Sequence, residues 1–473
     1  MPKDFTFIGP KRFNHQLVTF MYGILRDRVG LFLDMGTGKT ISAIDIASYR
    51  KDKGKVNTTL IVSPTTVLYN WEREIKRFSD KSVEVLYGPL QDRLYKLEET
   101  NPDFFIVNYE ILRTLWSAIA EKGLQMLILD ESTRVKGHNA QVTTATHSLA
   151  QGVPYRLLLS GQPIANTPLD LYSQFLILDD GETFGTNFYR YRNYYFKQIR
   201  MGRFSKWDFK KNKYHEVTSK MYEKGIRYLL EECITLPGKT YQVHEIEMTK
   251  DQRILYDTVK EQVLTEIGEI CKINEEGRAT IKADIAITKL MKLAQVCSGF
   301  SYTKGKTVTL KKNPKIEVLE ELVMEIVPTR KILIWCKYKA TMRMVEAMLK
   351  KKGIGNVTYS GDQNPIEKKK REDIFQNDNN IRALVGQIRS GIGQTFTAAN
   401  YAIYVENEWS PEPRDQSEKR IYRITQERKV VIIDLVMKNS VEESVLKALR
   451  GKQKVASLIM KDPISDFIEG SKT

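Results

Sequence analysis

Short apolar runs alternating with stretches of helical period recur in two blocks of this chain, and this pattern constrains the fold more than any other feature. In the first block the runs are GLFLD (30–34), TTLIVS (58–63), FFIVNYE (104–110), MLILDE (126–131) and YRLLLSG (155–161), with helical patterns such as 39–50 and 67–78 between them. In the second they are KILIWC (331–336), VTYSG (357–361), RALVGQ (382–387), YAIYVEN (401–407) and KVVIIDLV (429–436), separated by helical patterns at 315–327, 339–352, 365–377 and 411–423. In 315–327, Ile316, Leu319, Leu322, Val323 and Ile326 mark one helical face. Strands that are apolar throughout and alternate with helices belong in mostly parallel sheets covered on both faces. The expected class is therefore α/β with two lobes, at 1–180 and 311–473. A basic, partly helical insertion and linker at 181–310 separates them.

Composition narrows the partners. A chain of 473 residues is too long for one ordinary core. Its net charge of +16 favours a polyanion, nucleic acid ahead of an anionic membrane surface. No apolar run approaches the roughly 18 residues of a membrane span, so no membrane partner is expected. Cys233, Cys271, Cys297 and Cys336 form no C-x-x-C pair, which suggests neither a zinc site nor a disulfide framework. The opening MPKDFTFIGPKRF has no apolar core of the secretory kind. A cytoplasmic location, bacterial or in an infected cell, is expected, with a nucleus as the alternative.

Three motifs carry chemistry. LFLDMGTGKT (31–40) is an apolar strand, a loop with Gly36 and Gly38, and Lys39-Thr40 opening a helix. Glycines let backbone N–H groups curl around phosphate oxygens, and the helix N-terminus adds its positive end. Lys39 can reach the β- and γ-phosphates and the Thr40 hydroxyl can ligate Mg²⁺. Leu33 stands where the full phosphate-loop pattern has its first glycine. LILDEST (127–133) ends an apolar strand in adjacent carboxylates. Asp130 is placed to hold the Mg²⁺ shell, and Glu131 to orient or deprotonate an attacking water. In QSEKRIYRITQ (416–426), Gln416, Arg420 and Arg423 stand four and three apart, a spacing that puts them on one face of a helix over 411–423.

Taken in order, these segments and several others resemble superfamily-two helicases, and among them the Swi/Snf-like DNA-dependent ATPases of compact bacterial or viral type. NHQ (14–16) is similar to the adenine-reading segment, with Gln16 as the reader. DMGTGKT (34–40) is similar to the family's phosphate loop, which often begins with Asp. The resemblance gives Met35, Gly36, Thr37, Gly38, Lys39 and Thr40 contacts to ATP. LIVSPTTVLYNWEREIKRF (60–78) and VNYE (107–110) resemble motifs Ia and Ib, DEST (130–133) takes the place of DEAH, and LLLSGQPIANTPLDLYSQF (157–175) follows it. CITLPGKTYQVHEIEMTKDQRILYD (233–257) resembles the linker between lobes. LIWCKYKATMRMVEAML (333–349), YSGDQNPIEKKKREDIFQ (359–376), GQIRSGIGQTFTAAN (386–400) and WSPEPRDQSEKRIYRITQ (409–426) resemble motif IV, its sequel, and motifs V and VI.

The resemblance implies two RecA-like lobes, ATP with Mg²⁺ as cofactors, and a monomeric motor on DNA, duplex first and forks or junctions second. Arg420 and Arg423 would act as arginine fingers on the γ-phosphate, with Gln416 at the nucleotide or the attacking water. Gln162 replaces the usual Thr, and Ser132-Thr133 the commoner Ala-His, at positions that usually couple hydrolysis to DNA.

Pro64, Thr65 and Trp71 in motif Ia and Arg389 and Ser390 in motif V match positions that meet a nucleic-acid strand, mainly at phosphates. The insertion adds nine basic residues: Arg190, Arg192, Lys197, Arg200, Arg203, Lys206, Lys210, Lys211 and Lys213. Tyrosines 191, 194, 195 and 214, with Phe196, Phe204, Trp207 and Phe209, are interleaved with them. This suits a phosphate-tracking surface with stacking platforms, and equally an amphipathic layer of buried rings and solvated lysines. Two other functions compete with the motor: a helicase that separates strands of branched DNA or RNA, and a nucleic-acid scaffold with a decayed ATPase.

Overall fold

The structure is a computed structural model that describes residues 2, 4–164, 167–201, 204–233, 236–273, 288, 290–303, 306–391 and 394–451. The chain divides into two compact units, Met1–Arg200 with Ser205–Thr235, and Met201–Phe204 with Leu236–Thr473. The boundary between the units at Thr235 and Leu236 falls within the stretch 181–310.

The first unit is built on β1 (Arg28–Leu33), β2 (Thr59–Ser63), β3 (Val83–Val85), β4 (Phe104–Asn108), β5 (Met126–Asp130) and β6 (Tyr155–Leu159). A two-stranded ribbon of β7 (Phe196–Met201) and β8 (Phe204–Phe209) lies outside the main sheet, and β9 (Gly225–Tyr228) closes it. The sheet order is β3-β4-β2-β5-β6-β1-β9, with every pairing parallel. Parallel pairing demands crossovers. They are supplied by α2 (Lys39–Asp52), α3 (Leu68–Phe78), α4 (Leu90–Glu99), α5 (Tyr109–Ala120), α6 (Gln141–Ala150) and α7 (Leu169–Asp179), while α1 (Asn14–Ile24) precedes β1.

Strand side chains alternate between two cores. Phe32, Leu60, Val62, Leu127 and Leu129 enter one; Leu31, Leu33, Ile61, Ile128 and Leu159 enter the other. This is why the strands read as continuous apolar runs rather than alternating ones. In α3 the buried residues Leu68, Trp71, Ile75 and Phe78 recur at helical spacing, so one stripe packs on the sheet.

The segment expected to be a partly helical insertion holds α8 (Phe188–Tyr195), the β7–β8 ribbon, and α9 (Tyr214–Glu223), followed by the short α10 (Leu230–Cys233). The ribbon is pinned by the edge-on contact of Phe196 and Phe209, with ring centroids 5.3 Å apart. Its strands FKQIRM and FSKWDF mix aromatic and branched residues, which favour extended backbone, with charged ones.

The second unit holds β10 (Lys239–Ile246), α11 (Lys250–Ile273), a hairpin of β11 (Phe300–Thr303) and β12 (Lys306–Thr309), and then α12 (Pro314–Ile326). It continues through β13 (Lys331–Cys336), α13 (Lys339–Lys351), β14 (Gly355–Tyr359), α14 (Pro365–Asn377), β15 (Ile381–Gln387) and β16 (Ala399–Tyr404). It ends with α15 (Pro411–Glu418), β17 (Val430–Met437) and α16 (Val441–Arg450). Its parallel sheet runs β10-β17-β16-β13-β15-β14. Alternation again splits the core, with Ile332, Ile334 and Cys336 on one face and Leu333 and Trp335 on the other.

One expected helix is shorter than its pattern. The helix expected over 411–423 ends at Glu418. Beyond it the backbone tightens to three-residue bonds, Arg420 N–H to the Ser417 carbonyl and Ile421 N–H to that of Glu418, both 3.2 Å. Ile421 is fully buried in the core and draws the chain inward. The Arg423 Nε donates to the Lys419 carbonyl at 2.8 Å and the Gln426 amide to that of Ile421 at 3.0 Å, so side chains replace the next helical turn. Gln416, Arg420 and Arg423 therefore do not share one helical face.

A buried guanidinium clamps α15 to the sheet. Arg414 donates from Nη1 and Nη2 to the two Asp434 oxygens at 2.5 and 3.1 Å and from Nε to Glu418 at 2.8 Å, and lies 3.5 Å over the Tyr404 ring. Removing one member of a buried pair strands the others. Arg414→Met should lower the stability of the second unit by about 3–5 kcal/mol, and Arg414→Met/Asp434→Leu should restore much of it. Urea titration followed by hydrogen exchange in β17 measures both. A single-variant loss within ~0.5 kcal/mol, the range of an ordinary surface change, would show that the clamp is not structural.

Candidate nucleotide and nucleic-acid site

The phosphate loop lies at the C-terminal edge of the first sheet, between β1 and α2, where open parallel sheets bind ligands. Gly36 and Gly38 have φ of 87° and 91°, a region that L side chains rarely adopt, and Gly38 is the N-cap of α2. A Cβ on Gly38 would come within 2.2 Å of the Gln16 amide nitrogen, so conformation and space both require glycine there. Gln16 is buried. Its Nε2 donates to the Thr37 carbonyl at 3.1 Å and its Oε1 accepts from the Phe13 N–H at 3.0 Å. The Nε2 of His15 also meets the Thr37 carbonyl, at 2.7 Å. Thr37 is buried and donates its hydroxyl to the Asp34 carbonyl at 2.6 Å, and the Met35 N–H donates to the Asp34 carboxylate at 2.9 Å. Lys39 Nζ donates to the Leu33 carbonyl at 2.9 Å, and Thr40 occupies the first turn of α2.

The acidic pair ends β5, on the same edge. Asp130 Oδ2 accepts from the Trp71 indole at 2.9 Å and Oδ1 from the Glu131 N–H at 3.0 Å. The Tyr109 hydroxyl donates to the Asp130 carbonyl at 2.7 Å. Burial, then the neighbouring Glu131 charge, push the Asp130 carboxyl up to about 6, against the pull of Trp71 and Lys39. Glu131 has φ of 51°, a left-handed conformation that is costly outside glycine and that concentrates at functional sites. Ser132 donates to the Gln174 side chain at 2.7 Å, and the Gln174 amide donates to the Pro163 carbonyl at 2.8 Å. This ties the acidic strand end to the segment after β6. In that segment Gly161 lies close to Lys39: a Cβ there would be 3.5 Å from Nζ.

The donor set fits Mg²⁺. Among the described residues no cluster of three or more His, Cys, Asp or Glu could hold a metal by itself. Mg²⁺ commonly takes one or two protein oxygens, with waters and substrate phosphates supplying the rest, and Asp130 and Thr40 are hard oxygen donors of that kind.

Within the second unit Arg420 and Arg423 bond two consecutive residues, Gln394 and Thr395. Arg420 is buried with Nη1 3.4 Å from the Gln394 carbonyl, and Arg423 donates to the Thr395 hydroxyl at 2.6 Å. The Gln416 amide lies 3.5 Å from Glu412.

Several residues expected to touch nucleic acid are engaged otherwise. Trp71 is 1% exposed, and its indole is spent on Asp130; it is no surface contact, because the helical stripe that carries it faces the sheet. Pro64 is buried, and the Thr65 hydroxyl accepts from the Asn108 amide at 2.8 Å. Ser390 is buried and donates to the Gln387 carbonyl at 2.7 Å, which closes a short turn and leaves it no surface role. Arg389 is exposed but forked onto the buried Glu408 carboxylate at 3.0 and 3.1 Å. Beside it Lys337 lies 4.6 Å from the Trp409 ring, its ammonium pushed down by burial to about 8.

In α8 and the ribbon, Arg192 stacks 3.8 Å from the Trp207 ring. Lys210 donates to the carbonyls of Asn193 and Tyr194, and Lys213 to Glu216 and the Tyr194 hydroxyl. Arg190, Lys197 and Lys211 are exposed. The side chains of Arg200, Arg203 and Lys206 lie outside the described residues. The rings divide: Tyr191, Tyr195 and Phe196 are buried, while Tyr189, Tyr194 and Tyr214 are exposed. The segment thus carries both a buried aromatic layer and exposed rings and cations.

The raised Asp130 carboxyl makes a signed prediction. A carboxyl whose folded value lies above its ordinary 3.8 stabilises the fold while protonated, and that contribution is lost as pH rises from about 4 through 6. Without Mg²⁺ and nucleotide, the melting temperature of Asp130→Asn should exceed that of the wild type by a margin that grows across this window. Melting curves at pH 4–8 measure it; a margin independent of pH would contradict the assignment.

Comparison with known proteins agrees with the motifs. Residues 13–301 match the SNF2-related domain family, and residues 314–425 match the helicase conserved C-terminal domain. An uncharacterized ATP-dependent helicase of Mycoplasma pneumoniae is 24% identical over 468 residues, covering 97% of this chain and 43% of that protein. The TATA-binding protein-associated factor MOT1 of Saccharomyces cerevisiae is 25% identical over 501 residues, covering 93% of this chain and 26% of that protein. The chain thus spans less than half the length of these relatives. A Sulfolobus solfataricus SWI2/SNF2 ATPase core, solved in complex with dsDNA, aligns at 22% identity over 98% of each chain, with a TM-score of 0.44. With its family match covering more than half its length, the chain belongs to the SNF2-related family of helicase-superfamily ATPases.

Proposed function

We propose that this chain is an ATP-driven motor that translocates on double-stranded DNA and remodels DNA or protein–DNA structures. The observation that carries the reading is the edge of the first sheet. A left-handed glycine loop with Lys39, and a carboxylate pair at the end of β5, stand at one edge of the same parallel sheet, with β6 between their strands. Backbone N–H groups of 36–40 would cradle the phosphates, and Lys39 would exchange the Leu33 carbonyl for the β- and γ-phosphate oxygens. Thr40 and Asp130 would hold Mg²⁺, which when bound offsets the negative charge of the phosphates. Glu131 would orient or deprotonate the attacking water. Arg420 and Arg423 take the role the resemblance implies, stabilisation of charge on the transferred phosphoryl group. The net charge of +16 and the exposed Arg190, Lys197 and Lys211 favour a polyanionic track.

The exposed rings of Tyr189, Tyr194 and Tyr214 favour a second reading, action on forked or branched DNA whose unpaired bases stack on them. One assay tests both: ATP turnover with no nucleic acid, duplex, fork, single-stranded DNA and RNA. The motor reading expects duplex to stimulate turnover, and the second expects forks to exceed duplex. Lys39→Ala should lower turnover by about 100-fold or more, and Arg423→Ala by about 10³-fold. Turnover that no nucleic acid stimulates would overturn the motor reading, and Lys39→Ala turnover equal to wild type would favour a scaffold.

A further inference from the structure

Asp130 is held from two sides by side chains that belong to neither the phosphate loop nor its own strand. The Trp71 indole N–H bonds its carboxylate and the Tyr109 hydroxyl its backbone carbonyl. Trp71 lies on α3, which follows the Pro64–Val67 turn, and Tyr109 opens α5 directly after Asn108. Those two starts are bonded to each other, since the Asn108 Nδ2 donates to the Thr65 hydroxyl. The same Asn108 caps α5, its Oδ1 accepting the Ile111 N–H at 2.7 Å. Three hydrogen bonds, Thr65–Asn108, Tyr109–Asp130 and Asp130–Trp71, are joined into a ring by the chain itself, through the Asn108–Tyr109 peptide and the segment from Thr65 to Trp71. Each Asp130 oxygen accepts one protein donor, which leaves further lone pairs on both.

We propose that Trp71 and Tyr109 are positioning residues. Together they fix the Asp130 carboxylate for Mg²⁺, Trp71 at a carboxylate oxygen and Tyr109 at the backbone carbonyl of the same residue. The inference rests on the function proposed above for the identity of the metal. Its physical content is separate: a carboxylate that ligates a metal is aimed by its outer hydrogen-bond partners, and loss of such a partner typically weakens the metal by about 10–100-fold. Bulk alone would explain a buried tryptophan, but not an indole N–H spent on a carboxylate at the mouth of the site.

The test uses Trp71→Phe and Tyr109→Phe, which keep an aromatic ring and remove the donor, with Trp116→Phe on the partly exposed face of α5 as control. The Mg²⁺ concentration for half-maximal binding of a fluorescent ATP analogue is measured without nucleic acid. It should rise about tenfold in Trp71→Phe, less in Tyr109→Phe, and not in Trp116→Phe. An unchanged Mg²⁺ midpoint in both variants overturns the positioning role. Should Trp71→Phe fail to fold, Tyr109→Phe decides the same question. Absence of nucleic-acid stimulation in the wild type counts against the proposed function, and this measurement is independent of that.

Discussion

The passage from β1 into α2 depends on two residues in left-handed backbone. Without Gly36 and Gly38 at positive φ, the chain could not turn sharply enough to present successive amides at the start of α2. Those amides and the helix end make an anion seat that needs no side-chain charge. The loop is held from behind, because Gln16 and His15 both spend polar atoms on the Thr37 carbonyl. The buried Arg12–Asp45 pair, 2.8 Å apart, fastens the preceding segment to α2. The loop is thus set before any nucleotide arrives, which lowers the ordering cost of binding.

The acidic strand end shows the opposite economy. Asp130 sits where burial opposes its charge, with Glu131 beside it adding repulsion and Glu131 itself in a strained conformation. A folded chain would not keep such an arrangement for stability. Trp71 and the Glu131 N–H offset part of the cost, and a divalent cation would offset the rest by favouring the ionised form.

Much of this was legible in the residues. Strands buried on both faces must be apolar throughout, so β1, β2, β4, β5, β13 and β17 stood out as runs, and the glycine loop and carboxylate pair could be placed at their ends. What was not legible depends on contacts far apart in the chain. Nothing local to Trp71 says that its indole reaches Asp130, 59 residues on. The pairing of Arg389 with Glu408 is likewise invisible to spacing, so a residue that reads as a phosphate contact turns out to be balanced by a buried carboxylate. The early end of α15 reflects tertiary override: the 411–423 pattern continues, but burial of Ile421 and carbonyl capping by Arg423 and Gln426 win over one more helical turn. The β7–β8 ribbon was hidden by its charge, because aromatic alternation there is diluted by lysines and arginines.

The central claim is that the 36–40 amides receive a nucleotide's phosphates while Asp130 faces its metal. A crystal structure of the chain with Mg²⁺ and a non-hydrolysable ATP analogue tests this most directly. The account predicts phosphate oxygens on the amides of 36–40, Lys39 turned from the Leu33 carbonyl to the phosphates, and Mg²⁺ near Thr40 and Asp130 with the Trp71 bond intact. A nucleotide bound elsewhere, or phosphates at this loop with the metal remote from Asp130, would contradict it.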